Sequence, residues 1–397
     1  MNAAYLVGAA GALLLAGYFA ELIFRRFGLP DVLLLMLLGL GLHLGGAVRP
    51  EQLGLFGEIL SALALVVILF EGAVRLELRR LWQVLGRASL LALLNFLPAS
   101  ILATAVGLFL GLALPVALSL GFALGATSTT VVLPLLPGLG LGARAEALLS
   151  LESTLGDVLS VVGALTILGA ARSGSLSLAT LGRQVELQFV ASLGVGAAAG
   201  LAWALALRPL REGRTSLLPT VATLLILYAL LVRLGLSGAI GTFAFGLSLG
   251  NATGLLRRKA TGDLALTDAE RLFFAELSFL LKVFFFTYLG AVIPFGRPAA
   301  LLFGAGLGVA LVAMRQPLTQ LALRSLPAAD RRAARALGPR GLVAAVVAQL
   351  PIAAGWAGGE RAAAVAFGAI LTTVVGSSLE LWSARRGAAP HATTSPP

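Results

Sequence analysis

The sequence predicts an all-α polytopic membrane protein of about 13 transmembrane helices, built as an inverted repeat with two broken crossing helices. Three observations carry that prediction. Of the 397 residues 58% are hydrophobic and 12% charged, with a mean hydropathy of +0.97, more apolar surface than a soluble domain of this size can hide. Apolar runs near the length of about 20 residues that spans a bilayer recur from end to end. Basic residues fall on alternate connecting segments, as the positive-inside bias requires.

The expected spans follow in chain order. Span 4–24 lacks a basic stretch before it and a clear cleavage site, so it reads as a membrane helix rather than a removed signal. Spans 29–48, 55–73 and 88–112 are plain apolar runs. The fifth, 114–135, contains "GATSTTVVLPLLP", with four hydroxyls beside Pro134 and Pro137. The sixth, 146–171, carries Glu152 and Asp157. Spans 186–207, 216–233 and the short 236–250 come next, then 272–293 with Lys282 and 298–323 with Arg315. The twelfth, 338–354, opens on Gly338, Pro339, Arg340 and Gly341 and closes near Pro351; 361–383 ends the series. Residues 1–385 thus form one transmembrane unit, and 386–397 a short disordered tail. No nucleotide-binding regulatory domain is expected.

With the N-terminus outside and the C-terminus inside, 21 Lys and Arg lie on inner segments and 6 on outer ones. The net charge of +11, with 27 of 29 basic residues Arg, is explained by loops facing an anionic leaflet rather than by nucleic acid. There is no cysteine, and His43 and His391 are far apart, so neither thiolates nor histidines offer a metal site, and no cofactor or enzyme chemistry is expected.

Ionisable residues at membrane depth are functional candidates, because each costs a few kcal/mol to place there. Glu152, Asp157, Lys282 and Arg315 stand out; Glu21, Glu58 and Glu71 lie nearer span ends and suit interfacial or structural roles. Five residues of helix turn about 500° and rise about 7.5 Å, so Glu152 and Asp157 point in different directions and face different neighbours. Arg315 keeps its proton at any working pH and is a fixed countercharge. Paired with Glu152 it would leave Asp157 free to titrate; alternatively it snorkels to the inner face. Lys282 faces a cavity, Glu276 or the dimer surface, with a structural role favoured. The interrupted fifth and twelfth spans are an odd number of spans apart and therefore antiparallel, which points to a transport site near the midplane.

At these residues the chain resembles the monovalent cation:proton antiporters, closest to the sodium/proton exchanger branch. "ESTLGD" matches the core-helix Glu-x-x-x-x-Asp pattern. "VVILFEGAVRLELRRL", "RQPLTQL", "PRGLVAAVVAQLP" and "FFFTYLG" resemble family segments in family order. The resemblance implies that Asp157 binds the cation and the proton, with Ser128, Thr129, Thr130 and Ser153 near it. It also implies that Glu152 pairs with Arg315, that Arg340 and Lys282 are secondary candidates, and that a homodimer moves core domains against a dimerisation domain. The chain departs from the family at Gly156, where relatives carry Asn or a second Asp, and at Thr130–Val131, where they often carry Asp-Pro.

The expected activity is exchange of a monovalent cation (Na+ first, K+ or Li+ also admitted) for a proton across the cell membrane. Asp157 holds one or the other, and with one titrating carboxylate the cycle is electroneutral. A symporter or organic-anion transporter on a related inverted-repeat fold is the alternative; an ion channel or a non-transporting sensor fits less well. Apart from the two ions, the expected partners are membrane lipid and a second copy of the chain.

Overall fold

The computed structural model describes residues 3–27, 31–48, 54–172, 178–212, 217–256, 266–292 and 296–386. Among them every regular element is helical: α1 (Ala3–Phe27), α2 (Asp31–Leu44), α3 (Gly54–Val74), α4 (Leu78–Phe109), α5 (Leu114–Gly125), α6 (Thr129–Leu135), α7 (Ala143–Arg172), α8 (Leu178–Glu212), α9 (Leu217–Arg233), α10 (Gly238–Gly250), α11 (Ala252–Leu255), α12 (Asp268–Ala291), α13 (Pro298–Ala322), α14 (Ala328–Ala336), α15 (Leu342–Ala353) and α16 (Gly359–Arg386). Among the described residues nine helical segments are long and apolar enough to cross a membrane, and four shorter apolar helices, 31–44, 217–233, 238–250 and 342–353, fall on the remaining expected spans.

Local chemistry sets several boundaries. Thr267 and Glu270 form a reciprocal capping box at the start of α12, each side chain accepting the other's backbone N–H. Ser237 Oγ accepts the N–H of Ile240 and opens α10. Gly140, at φ 61°, closes the single 3-10 turn Leu136–Leu139 that follows α6.

The helices pack in two groups. α4, α5, α7, α13, α15 and α16 pack on one another, and α2, α3, α8, α9, α10 and α12 form the other set, with α1 against α2 and α12. The first group contains the same pattern twice: a long helix, a broken helix and a long helix, as α4–α5/α6–α7 and as α13–α14/α15–α16. Where the chain passes from one group to the other, after α3, it is held by Asn251. Its Oδ1 accepts the N–H of Leu78, the first residue of α4, at 2.9 Å. Its Nδ2 donates to Leu76 O and Leu247 O, both at 2.8 Å. α4 has no side-chain cap of its own at Glu77, so α10 satisfies one of its orphan donors from a distance.

Two boundaries differ from the sequence expectation. The twelfth span does not begin at Gly338; its first half is α14, nine residues carrying Asp330, Arg331, Arg332 and Arg335. Those charges disguise a helix whose Asp330, Ala333, Ala334 and Ala336 are buried. α4 likewise begins ten residues before the apolar run, through the basic stretch that holds Arg79, Arg80 and Arg87. Tail residues 387–397 lie outside the described residues.

Candidate functional site

The site begins with two interruptions. α5 stops at Gly125, and Ala126 and Ser128 are extended before α6 resumes. α14 stops at Ala336, and α15 resumes after an extended Gly341. The two gaps touch: the Ser128 N–H donates to Pro339 O at 2.8 Å. Arg340, 3% exposed, donates from Nη1 to Gly125 O at 3.1 Å and from its backbone N–H to Thr373 Oγ1 at 3.1 Å. Backbone groups freed by the breaks are therefore satisfied by protein, as membrane depth requires. Glycine is needed for this approach: a Cβ on Gly341 would collide with Ser128 Oγ, and one on Gly338 would come within 2.5 Å of Arg315 Cδ.

α7 runs past the crossing. A Cβ on Gly156 would lie 3.1 Å from Ala126 Cβ, so residue 156 faces the extended strand between α5 and α6. One residue on, Asp157 is 3% exposed, and its Oδ2 accepts the backbone N–H of Thr129 at 3.1 Å. That N–H is the first of α6 and has no partner within its helix. The Thr129 side chain is buried beside the same carboxylate.

The other sequence candidates divide. Ser128 Oγ and Thr130 Oγ1 bond each other at 2.8 Å. Ser153 Oγ donates to Ser150 O at 3.1 Å and is committed to its own helix. Glu152 and Arg315 form a bidentate pair, Nη1 to Oε1 at 2.6 Å and Nη2 to Oε2 at 3.0 Å, with both residues buried. Arg315 Nη2 also donates to Ala334 O at 3.2 Å, so the guanidinium is held inside the bundle rather than at its surface. Glu152 looks toward α4 and α13, and Asp157 toward α6, in keeping with the rotation between them.

Lys282 takes a partner that the sequence did not name. Its Nζ pairs with Asp31 at the start of α2, lies 5.5 Å from the Phe279 ring centroid, and ignores Glu276, which is exposed. Glu71 pairs with Arg75 one turn away; the Glu58 side chain lies outside the described residues.

Sequence reasoning missed three participants. Asn95 of α4 donates from Nδ2 to Glu152 Oε1 at 3.1 Å. It is a lone amide inside "LLALLNFLPAS", and the test applied to charges at membrane depth would have found it if extended to amides. Asp31 stood at a span end, where acids are unremarkable. Thr373 gave no signal, since a single Thr in an apolar helix is commonplace.

A buried carboxylate in no ion pair among the described residues, beside a helix N-terminus whose first N–H it accepts, can hold one proton or one partly dehydrated monovalent cation. Its neighbour Glu152 is already neutralised and cannot do the same.

Residues 11–384 match the family model described as "Sodium/hydrogen exchanger, transmembrane". The chain is 29% identical over 230 residues to the Na(+)/H(+) antiporter ApNhaP of Aphanothece halophytica, covering 56% of this chain and 43% of that one. It is 28% identical over a 412-residue alignment to the K(+)/H(+) antiporter NhaP2 of Shewanella sp. (strain MR-4), covering 97% of this chain and 67% of that one. The chain thus spans between two-fifths and two-thirds of these relatives' lengths. Its fold is similar to that of the sodium proton antiporter MjNhaP1 from Methanocaldococcus jannaschii, with a TM-score of 0.77 at 21% identity over 97% of this chain and 98% of that one. With the family model covering nearly its whole length, the chain belongs to the sodium/hydrogen exchanger family.

Proposed function

We propose that this protein is a secondary antiporter that exchanges one monovalent cation for one proton across the membrane. The observation that carries the reading is the division of labour on α7: Glu152 is locked in an ion pair by Arg315 and bonded by Asn95, while Asp157 meets Thr129 at the crossing and is in no ion pair among the described residues. A carboxyl at the crossing can carry a proton, or lose it and pair with a cation instead. Such a group exchanges its proton for a cation of suitable size, and access that alternates between the two sides turns competition into counter-transport.

The exchange is electroneutral in this proposal. Asp157 is neutral when protonated and neutralised when it holds a monovalent cation. Gly156 supplies no second acid, and Arg315 is committed to Glu152. Na+ is the first candidate, with K+ and Li+ to be tried, since the relatives are named for both Na+ and K+ exchange. The protein is proposed to work as a homodimer in the cell membrane, N-terminus outside.

Reconstitution in liposomes that trap a pH-sensitive dye tests this. Each cation of a Na+, K+ and Li+ panel is added outside, and proton movement is followed with the wild type and Asp157→Asn. Cation-driven proton flux in the wild type, absent from the variant, supports the proposal; flux that survives Asp157→Asn sinks it.

A further inference from the structure

Away from the crossing, a groove of about 490 Å³ lies between α4 and α13. Its walls are apolar: Leu102 and Val106 on one side, Leu302, Phe303 and Leu307 on the other. Leu302 is 71% exposed and Phe303 45%, so the groove opens outward. Gly306 keeps it open, since a Cβ there would meet nothing within 4 Å. The flanking Gly304 and Gly308 face the other way, into the backbone of α16 around Val365 and Ala369. α13 therefore uses small residues on two faces, one to pack and one that, at Gly306, meets open space among the described residues.

The dimensions select the occupant. Along α13 the lining runs from Ala299 to Ala310, which is about 16 Å at 1.5 Å per residue. That is about half of the roughly 30 Å hydrocarbon core, the depth of one leaflet. That length and the wholly apolar lining suit one extended hydrocarbon chain.

The end of the groove is basic. The C-terminus of α4 and the starts of α13 and α16 meet there. Arg361 Nη1 donates to Leu110 O at 2.8 Å. Arg297 is paired with Glu360 at 2.8 Å, which leaves the Arg361 charge in excess. Phe109 and Phe303 stack edge-on beside it, centroids 6.1 Å apart.

We propose that this groove is a lipid site: one acyl chain of an anionic phospholipid fills it, and Arg361 engages the headgroup phosphate. The proposal is independent of which ion the protein transports. A basic side chain near a membrane surface gives about a fivefold preference for an anionic lipid.

The full chain carrying Phe303→Trp, reconstituted with brominated phosphatidylglycerol or brominated phosphatidylcholine of the same acyl chains, reads the site through tryptophan quenching. Quenching by the four native Trp is subtracted using the parent protein. Phosphatidylglycerol is expected to quench residue 303 at about a fivefold lower mole fraction. Adding Arg361→Gln should abolish that difference, and Gly306→Leu, which fills the groove, should leave only the quenching of any lipid-facing Trp. Equal quenching by the two lipids, or a preference that survives both substitutions, overturns the proposal. Native mass spectrometry of the wild type from mild detergent is a second readout that needs no variant: one phosphatidylglycerol retained per chain is expected, and none retained counts against the site.

Discussion

The Glu152–Arg315 pair gives the most quantitative test of how the core is held. Both side chains are nearly inaccessible, 3% and 4% exposed, and the pair is joined by two charged hydrogen bonds with a third from Asn95. Glu152→Gln leaves a buried guanidinium with Ala334 O as its remaining partner. Arg315→Gln leaves a buried carboxylate with only an amide beside it. Hydrogen bonds to charged groups contribute about 1.5–3 kcal/mol each, and breaking a buried pair from one side commonly costs about 3–5 kcal/mol. Each single variant should lose about that much, whereas the double variant removes both charges together and should recover at least half of either loss. Thermal unfolding in detergent, followed by intrinsic fluorescence for the wild type, both singles and the double, measures the coupling. Losses that simply add would mean that the two residues do not stabilise each other, however close they lie.

Three further outcomes follow from the crossing. Imposing a membrane potential on liposomes should leave the exchange rate unchanged. Gly156→Asp, which adds a carboxylate facing Ala126, should make the rate voltage-dependent, and a voltage-dependent wild type would require a second titrating group. Gly341→Ala, whose Cβ would collide with Ser128 Oγ, should abolish exchange and lower stability by about 1–3 kcal/mol, while Gly41→Ala, open to space, should change neither; equal behaviour of the two in flux and melting assays refutes the tight crossing. Lys282→Met should destabilise the protein less than Glu152→Gln does, because its pair with Asp31 is more exposed, and Asp31→Asn should relieve the loss; a Lys282→Met variant that keeps its melting temperature but loses exchange would move Lys282 into the transport machinery.

The membrane architecture was legible because the bilayer imposes one simple demand: backbone polar groups are satisfied within each apolar helix, so apolar run length reads directly as span. The same demand hid α14. Its Arg331, Arg332 and Arg335 break the apolar run, yet a nine-residue helix needs only one small-residue stripe, here Ala333, Ala334 and Ala336, to pack. Asp157 and Glu152 announced themselves by cost: a charge at that depth must have a reason. The partner of Glu152 could be named because Arg315 sits well inside an apolar run, away from either end of its span. The partner of Lys282 could not, because Asp31 lies 251 residues away at a helix start and nothing local marks it. Hydroxyls were the least readable. Ser128, Thr129, Thr130 and Ser153 look alike in sequence, and only the rotamer decides that Ser153 turns to its own helix while Ser128 and Thr130 bond each other.

The three hydrogen bonds of Asn251 act on geometry as well as on stability. One of them fastens the first residue of α4 to the end of α10, while the far end of α4 is tied within its own group, where Arg361 donates to Leu110 O. A rod held in that way tilts rather than slides. Thirty-one rises of 1.5 Å put Phe109 about 46 Å from the tether, so each degree of tilt swings the far end by about 0.8 Å while Leu78 stays in place. α4 is thus a lever with its fulcrum at the α3–α4 junction, and an amide from another helix sets where that fulcrum lies.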